Sequence, residues 1–332
     1  MRNMFILNAN EPKELATYLQ QLKWLDDQET IVSLSKPGEG NMNYVLRVET
    51  TARSFIVKQS RGYVKKYPQV LAPAARVLTE GAFYQKIAKA DTVQQIMPKL
   101  LGIDGTNNII ALEDLGKAND FTILYDVKRK LQEDELNQLV GYLSGIHQEF
   151  QKTIVDDELA NTELRTLNYE HIFEYPFKEE NGFNLDEIQD GLQKLALPYR
   201  KDVELKKNIE RLGSLYLSKG KYLLHGDYYP GSWLKTADGI KVIDPEFCFY
   251  GLREFDLGVL FAHMYLTQQK ESAINLIKEQ YVSFEELNPT ILNGFIGAEI
   301  IRRLIGLAQL PLKMDLKTKE NLLSFARDLI LE

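Results

Sequence analysis

The chain has 332 residues, of which 44% are hydrophobic and 26% charged, a composition typical of a folded protein long enough for two domains. Its net charge of −7 argues against nucleic acid or an anionic membrane as a partner, and a single cysteine excludes an internal disulfide. The first residues lack the apolar core of a signal peptide, and no apolar run approaches the ~20 residues that span a bilayer, so we expect a cytoplasmic protein.

The first third of the sequence predicts an antiparallel sheet with flanking helices. Residues 11–25 and 74–90 have the apolar spacing of helices. Short apolar runs bounded by turn residues predict strands at residues 30–35, 44–49, 54–59, 99–103 and 108–112. Because short turns join neighbouring runs, the pairing is expected to be antiparallel.

The remainder of the chain is predicted to be mostly helical. The polar segment 113–119 would serve as a linker or hinge. Helical patterns cover residues 132–152, 202–218, 253–267, 271–283, 286–308 and 316–331, with a patch of short strands at 222–244. This order predicts an α+β fold with a β-rich first lobe, residues 1–115, and a mainly helical second lobe, residues 116–332. A ligand commonly binds in a cleft between two lobes.

Two features of the first lobe suit a polyphosphate ligand. Gly38 and Gly40 lie in a turn between predicted strands, where glycines permit a tight loop with amides that face the ligand. Lys58 ends an apolar strand and could reach the phosphates, with Glu80 on the next helix to orient it. A plain glycine hairpin and a lysine that leaves its strand for solvent are the alternative interpretations.

Two acidic motifs of the second lobe suit phosphoryl transfer. The tripeptide His-Gly-Asp ends at Asp227, directly after a short strand, and transfer to a hydroxyl needs a carboxylate that positions the acceptor and takes its proton. His225 is more simply explained as a residue that ties the loop to nearby backbone. Further along, Asp244 and Glu246 flank a stiff proline and could face one hard cation such as Mg²⁺, although a solvated acidic turn is the alternative.

A helix near the C-terminus carries Glu299, Arg302 and Arg303 on the side opposite to its apolar residues. That apolar face comprises Ile300, Ile301, Leu304, Ile305 and Ala308. Spacings of three and four residues bring Glu299 within reach of both arginines. Ion pairs on the helix surface are therefore the simplest interpretation, and contact with a substrate is the alternative.

In this order, the glycine loop, the lysine, the linker, the aspartate loop and the acidic pair resemble the aminoglycoside phosphotransferase and choline kinase superfamily, relatives of the protein kinases. The resemblance covers nearly the whole chain. Within the superfamily the sequence most resembles 5-methylthioribose kinases, on the segments GEGNMNYV, FIVKQ, HGD with a later GS, DPEFCFYG and IIRRLIGLA. It implies a protein-kinase-like bilobal fold, with ATP and Mg²⁺ as cofactors.

The resemblance also implies a role for individual residues. The catalytic residue would be Asp227. Metal ligands would be Asp244 and Glu246, with Ser232 where most kinase-fold enzymes place an asparagine. The acceptor would meet Asp227, Arg302, Arg303 and Tyr67. ATP would bind at Gly38, Gly40, Asn41, Asn43, Lys58, Glu80 and the hinge residues Glu113, Asp114 and Leu115, whose backbone would bind the adenine.

Departures from the family pattern lie near the expected acceptor site. The family's usual HGDLHTGS is HGDYYPGS in this chain, so Tyr228, Tyr229 and Pro230 replace a leucine, a histidine and a small polar residue. A tryptophan expected after the lysine is absent, and Tyr67 stands in that loop instead. The sequence therefore defines the nucleotide chemistry better than the acceptor.

These observations predict a kinase that transfers the γ-phosphate of ATP to a hydroxyl of a sugar-like small molecule, with 5-methylthioribose favoured. An aminoglycoside or choline/ethanolamine phosphotransferase is the alternative acceptor class. A non-catalytic nucleotide-binding pseudokinase is the alternative of another class, which the intact catalytic residues disfavour. HGD and DPE in place of HRD and DFG disfavour a protein kinase. Neither nucleic acid nor membrane is an expected partner, and a homodimer is among the states that the sequence allows.

Overall fold

A computed structural model describes residues 4–38, 40, 42–126, 129–281 and 285–332. The chain forms two compact units. The first comprises Met1–Ala118 and Lys241–Phe247, and the second comprises Asn119–Ile240 and Cys248–Glu332. The chain thus passes from one unit to the other three times. The sequence predicts that residues 241–247 belong to the second lobe, whereas the structure packs them with the first unit.

The first unit is built on a five-stranded antiparallel sheet. Its strands are β1 (Ile31–Ser35), β2 (Tyr44–Thr50), β3 (Ser54–Gln59), β4 (Leu100–Asp104) and β5 (Ile109–Glu113), in the spatial order β1-β2-β3-β5-β4. Central strand β3 pairs with β2 on one side and with β5 on the other, which sets Lys58 opposite Val45 and Ile110. The five predicted strands coincide with these to within one residue at most ends.

Helices cover the sheet of the first unit. They are α1 (Pro12–Gln21), α2 (Arg76–Ile87) and the single turn α3 (Asp91–Gln94). On α1, Leu15 and Leu19 are fully buried and pack into a core with Leu46 and Val57 from the sheet. Helix α2 packs against β4 and β5. Helices α1 and α2 therefore bury apolar residues against the sheet, the arrangement that amphipathic spacing predicts.

The segment 241–247 belongs to the first unit through specific contacts. The amide of Val242 donates to the carbonyl of Ile96 at 2.8 Å, and the ammonium of Lys241 donates to the carbonyl of Gln95 at 2.6 Å. A 3₁₀ turn, Pro245–Phe247, then packs against α2. These contacts join residues that are far apart in the sequence, so no local sequence pattern predicts them.

The second unit is mainly helical. Its α-helices are α4 (Glu133–Glu149), α5 (Thr162–Tyr169), α6 (Leu192–Lys201), α7 (Val203–Leu217), α8 (Glu254–Leu266), α9 (Glu271–Gln280), α10 (Pro289–Ile305) and α11 (Leu316–Leu331). Helix α10 packs along both α8 and α11. Nearly every residue of α8 is buried, in keeping with its mainly apolar sequence.

Short strands accompany these helices. They are β6 (Asn119–Asp120), β7 (Tyr222–Leu224), β8 (Trp233–Thr236), β9 (Gly239–Val242) and β10 (Phe249–Gly251). Strand β7 pairs with β10, and β6, β8 and β9 form a small sheet in that order. Strand β7 leads directly into the loop that carries Asp227, and β9 leads into the acidic segment of the first unit.

Between residues 153 and 201 the structure differs from the sequence reading, which predicted no helix there. It contains α5, a π-helical turn (Glu170–Glu174), a 3₁₀ turn (Tyr175–Phe177) and α6. Prolines at 176 and 198 interrupt the helical pattern in the sequence. Pro176 lies in the first turn of its 3₁₀ segment, where proline is tolerated, whereas Pro198 lies within α6, where it cannot donate an intrahelical hydrogen bond.

We expect Gly102→Ala to destabilise the first unit, because a Cβ at this position of β4 would lie 2.1 Å from Nε1 of Trp24. Such overpacking typically costs about 1–3 kcal/mol. Gly105→Ala is the matched control, since its Cβ would meet nothing within 4 Å and should change stability by less than about 0.5 kcal/mol. Urea unfolding of the two variants measures the difference. Equal midpoints would show that the indole moves aside without cost.

Candidate active site

A buried lysine organises the candidate phosphate-binding side of the first unit. Lys58 on β3 is 3% exposed. Its Nζ lies 2.6 Å from Oε2 of Glu80 on α2 and 2.7 Å from Oδ1 of Asp244 in the returning segment. The structure thus brings together three residues that the sequence analysis selected from separate motifs.

The acidic pair differs strongly in exposure. Asp244 has a φ of 62°, a left-handed conformation that is uncommon for non-glycine residues and is found repeatedly at functional sites. Its side chain is 51% exposed. Glu246 is buried, and its Oε2 accepts a 2.9 Å hydrogen bond from Nδ2 of Asn43 and lies 3.4 Å from Nε of Arg76. The proline between the two acids therefore separates an open carboxylate from an enclosed one.

Lys58, Arg76, Glu80, Asp244 and Glu246 form what we call the lysine cluster. Two cations face three carboxylates, so the cluster carries one surplus negative charge when all are ionised. Burial opposes the charged form of Lys58, but the carboxylates outweigh it and raise its pKa above the ordinary value. Burial raises the pKa of Glu80 to about 8 and also raises that of Glu246, in both cases against the opposing effect of Lys58.

The lysine cluster fits a divalent cation by its charge and its donor chemistry. Within the described ranges no group of three or more His, Cys, Asp or Glu side chains could hold a metal alone. Mg²⁺, however, usually takes one or two carboxylates and completes its shell with phosphate oxygens and water. The open carboxylate of Asp244 suits this arrangement, and a cation would take the place of the proton that Glu80 keeps in the metal-free protein. The buried Oδ1 of Asn43 accepts no hydrogen bond from described residues and is a further oxygen in the cluster.

Arg76 was missed by the sequence analysis. Its guanidinium is fully buried and donates to the carbonyls of Met42 and Arg61, each at 2.6 Å. It therefore anchors the end of the loop between β1 and β2. Gly38 and Gly40 lie in this loop, and a Cβ on Gly38 would meet nothing within 4 Å. Asn41 lies outside the described residues.

The expected hinge follows the end of β5. Glu113 is the last residue of that strand. The Asp114 carboxylate accepts two hydrogen bonds from Arg47 on β2, at 2.8 and 2.9 Å, so its side chain holds the segment to the sheet. Leu115 is half-buried. Tyr67, expected at the acceptor, lies in an exposed loop of the first unit and is 38% exposed.

In the second unit, α8 holds the loop that carries Asp227. The carboxylate of Asp256 accepts hydrogen bonds from the amides of His225 and Gly226, at 2.7 and 2.9 Å. Gly226 has a φ of 84°, which favours glycine at this turn. His225 is buried, and its Nδ1 lies 3.4 Å from the amide of Asp227, so it ties the loop together as the sequence analysis expected. The sequence analysis missed Asp256, because no pattern near this residue indicates that its carboxylate binds the loop of Asp227.

Ser232 lies in the second unit and serves the same loop. Its side chain is buried, and its hydroxyl donates to the backbone carbonyl of Asp227 at 3.0 Å. The hydroxyl expected at a metal is thus engaged in fixing the Asp227 backbone. The carboxylate of Asp227 itself is only partly buried, with a side-chain exposure of 19%.

Asp227, Glu299, Arg302 and Arg303 form what we call the arginine cluster. Nη2 of Arg303 donates to Oδ1 of Asp227 at 3.2 Å, and Nη1 of Arg302 lies 3.9 Å from the same oxygen. Glu299 accepts from Nη1 of Arg302 at 2.9 Å and from Nε of Arg303 at 2.6 Å. Two cations and two carboxylates leave the arginine cluster neutral overall.

The sequence leaves open whether the two arginines face solvent, and the structure buries them. Glu299, Arg302 and Arg303 are at most 6% exposed, because α7, α8, α11 and the π-helical turn enclose α10. Burial alone would raise the pKa of Glu299, but the two guanidiniums hold it well below the ordinary value. The ion pairs expected from the spacing and the contact with Asp227 are both present.

Comparison with known proteins places the chain in a family. The sequence profile of the phosphotransferase enzyme family matches residues 33–286, a range that includes the lysine cluster and Asp227. The chain belongs to this family. It is an enzyme, a phosphotransferase with an alcohol group as acceptor, and the catalytically inactive alternative is set aside.

Curated relatives confirm the resemblance to methylthioribose kinases. The methylthioribose kinase of Geobacillus sp. (strain WCH70) is 30% identical over 344 aligned positions, which cover 87% of this chain and 82% of that protein. That of Geobacillus kaustophilus (strain HTA426) is 29% identical, with 90% and 84% covered. The names of these relatives state their substrate. The alignments extend over most of the length of this chain.

Solved structures confirm the predicted protein-kinase-like α+β fold. Choline kinase LicA from Streptococcus pneumoniae matches with a TM-score of 0.56 and 14% identity, covering 97% of this chain and 99% of that one. A spectinomycin phosphotransferase in complex with ADP and spectinomycin matches with a TM-score of 0.52 and 14% identity, covering 96% and 98%. In the described ranges, none of the helices combines the length and apolar character needed to cross a bilayer.

We expect Glu80→Gln to flatten the pH dependence of stability in the protein free of metal and nucleotide. Because burial raises the pKa of Glu80 to about 8, the folded state keeps a proton that the unfolded state releases near pH 4.5. The associated stability is complete below about pH 4.5 and is lost as the pH rises towards 8, by at most about 1.4 kcal/mol per pH unit. Urea midpoints between pH 5 and 8.5 measure the slope.

Glu29→Gln is the control for this experiment. Hydrogen bonds from Thr50, Arg53 and the Asp26 amide outweigh burial and lower the pKa of Glu29, so its contribution changes only at lower pH. This variant should keep the wild-type slope above pH 5. A wild-type slope in Glu80→Gln would contradict the raised pKa of Glu80.

Proposed function

We propose that this phosphotransferase moves the γ-phosphate of ATP to a hydroxyl of a small sugar-like acceptor, with 5-methylthioribose as the first choice. The observation that carries the proposal is the placement of Lys58 between Glu80 and Asp244, together with Asp227 on a loop fixed by α8. A lysine oriented by an acid, a metal-binding acid and a separate acceptor-positioning acid are the parts that phosphoryl transfer requires.

In this proposal residues 1–115 serve as the nucleotide-binding lobe. Lys58 donates to the phosphates, and the amides of the loop at Gly38 and Gly40 face them. The backbone at the hinge, residues 113–115, binds the adenine. The bidentate pair between Arg47 and Asp114 supports this role, since it fixes the hinge through a side chain.

Asp244 and Glu246 would hold Mg²⁺, which neutralises charge on the phosphate oxygens when it is bound. The protein's own contribution is orientation. Asn43 and Arg76 hold Glu246, and Lys58 holds Asp244 from within the sheet. The presence of three carboxylates beside two cations supports this assignment, because the metal-free protein balances them by keeping a proton on Glu80, and a bound cation would take the place of that proton.

Residues 116–332 supply the acceptor site and the catalytic carboxylate. Asp227 accepts the proton of the acceptor hydroxyl as the hydroxyl oxygen bonds to the γ-phosphorus. The bond from that phosphorus to the bridging oxygen breaks at the same time, and ADP leaves. The chain provides positioning and charge stabilisation rather than a covalent intermediate.

The character of the arginine cluster supports a neutral acceptor over a polycationic one. Two guanidiniums balance two carboxylates, so no surplus acid is available to bind an aminoglycoside. The half-buried ring of Tyr229 stacks on Arg303, with 4.8 Å between the guanidinium carbon and the ring centre. An aromatic wall beside hydrogen-bonding arginines suits a sugar that carries a thioether, because sulfur packs favourably on aromatic rings. The names of the curated relatives agree with this choice.

We expect Asp227→Asn to lower kcat by about 10²–10⁴-fold while ATP binding stays nearly unchanged, because the amide keeps the shape but cannot take a proton. Asp227→Ala should abolish turnover. ADP release measures turnover, and titration calorimetry with a non-hydrolysable ATP analogue measures binding. Wild-type turnover in either variant would remove Asp227 from the catalytic role.

We expect 5-methylthioribose to have the highest kcat/KM in a panel that also contains ribose, choline, 1-amino-2-propanol and spectinomycin. The neutral charge of the arginine cluster and the apolar ring of Tyr229 are the reasons. An ADP-release assay with each acceptor at several concentrations gives the comparison. Turnover of the cationic acceptors with none of 5-methylthioribose would overturn the choice of acceptor and leave the phosphoryl chemistry intact.

A further inference from the structure

A fully buried histidine lies behind the arginine cluster and has no place in the chemistry described so far. His263 on α8 has no exposed surface. Its Nδ1 lies 3.1 Å from the hydroxyl of Tyr125, in the 3₁₀ turn Phe121–Asp126, and its Nε2 lies 3.3 Å from Oε1 of Glu299. Both ring nitrogens are therefore used, and their partners come from two other elements of the second unit.

The chemistry of the partners fixes the direction of these hydrogen bonds. Glu299 is held ionised by Arg302 and Arg303, so its carboxylate can only accept. Nε2 of His263 must then carry the proton and donate. Nδ1 is left as an acceptor and takes the hydroxyl proton of Tyr125. Burial lowers the pKa of His263 and raises that of Tyr125, which keeps both groups neutral.

The contacts continue from Glu299 to the candidate catalytic carboxylate. Oε1 of Glu299 accepts from Nε2 of His263 and, at 2.6 Å, from Nε of Arg303. The other end of the same guanidinium, Nη2, donates to Oδ1 of Asp227 at 3.2 Å. Tyr125, His263, Glu299, Arg303 and Asp227 thus form one continuous hydrogen-bond chain, buried except at Asp227.

We infer that His263 and Tyr125 are positioning residues, which act through Glu299 to hold the guanidinium of Arg303 against Asp227. This inference rests on the proposed function, in which Asp227 takes the acceptor proton. Glu299 already accepts on both oxygens from Arg302 and Arg303, which lie on its own helix. His263 adds a donor from α8, so the carboxylate is held relative to a second helix, and the planar fork of Arg303 transmits that orientation to Asp227. Misplacement of a reacting group by about 1 Å can cost about 10²-fold in rate.

The experiment compares two amides at position 263. In His263→Gln the side chain is long enough to place an N–H near the position of Nε2 and to donate to Glu299. In His263→Asn it is neutral and polar but too short to reach that carboxylate. We expect His263→Asn to lower kcat by about 10²-fold and to raise the acceptor KM, with the ATP KM unchanged. His263→Gln should restore kcat to within about fivefold of wild type.

Tyrosine variants provide a second readout. Tyr125→Phe removes the donor to Nδ1 and should lower kcat by about three- to tenfold. Tyr18→Phe is the matched control, since Tyr18 is also buried and donates to Asp104 at 2.6 Å, in the first unit. It should leave all three kinetic constants unchanged. Rates are normalised to the folded fraction measured by near-UV circular dichroism.

The tautomer can be observed directly. The chain has only four histidines, so selective ¹⁵N labelling gives few signals, and His263→Gln assigns the relevant one. We expect a protonated Nε2 and an unprotonated Nδ1 in the wild-type protein. A protonated Nδ1 would overturn the direction of the hydrogen-bond chain and with it the proposed action on Glu299.

The outcomes separate this inference from the proposed function. Equal kinetics in His263→Gln and His263→Asn, or losses that follow only the folded fraction, would assign His263 a purely structural role. If Asp227→Asn is inactive and His263→Asn is normal, the inference fails and the proposed function stands. If Asp227→Asn is fully active, the proposed function fails first, whatever the result at position 263.

Discussion

One buried ammonium group joins three distant parts of the first unit. The Nζ of Lys58 on the central strand lies within 2.7 Å of carboxylates from α2 and from the segment that follows β9. An unpaired charge in this position would cost several kcal/mol, so the contacts of Lys58 stabilise strand, helix and segment in one arrangement. The left-handed backbone at Asp244 and the 3₁₀ turn that buries Glu246 both lie in that segment. The same contacts give the site its charge and its shape.

The two clusters have different charge balances, and each suits a different kind of ligand. The lysine cluster has one carboxylate more than it has cations, which favours a metal ion together with the phosphates that the metal accompanies. The arginine cluster is neutral, with every charge paired inside the protein. Buried pairs of this kind contribute geometric specificity more than stability. In the proposed function, an acceptor that binds beside these pairs would be selected by shape and hydrogen bonding rather than by charge.

Local patterns in the sequence predicted the sheet, most of the helices and the order of motifs that identifies a phosphotransferase. Lys58, Glu80 and Asp244 were found because strand, helix and turn positions are encoded by neighbouring residues. Arg76 and His263 were missed, since nothing near them in sequence shows that they are buried. The burial of Arg302 could not be predicted for the same reason: α10 is enclosed by elements distant in the chain, and helical spacing reveals one apolar face but not a second covering layer. The burial of these side chains is determined by tertiary contacts rather than by local secondary-structure propensity.

The first unit is discontinuous in sequence, and this has a consequence for its synthesis. Its sheet is complete on the emerging polypeptide once β5 has left the ribosome, but Asp244 and Glu246 arrive only after most of the second unit has been made. At typical elongation rates the delay is on the order of 10 s. During that interval Lys58 and Arg76 lack two of the carboxylates that neutralise them in the finished protein. Co-translational folding of the N-terminal region therefore stops at an intermediate, and the first unit is complete only when Lys241–Phe247 packs against it.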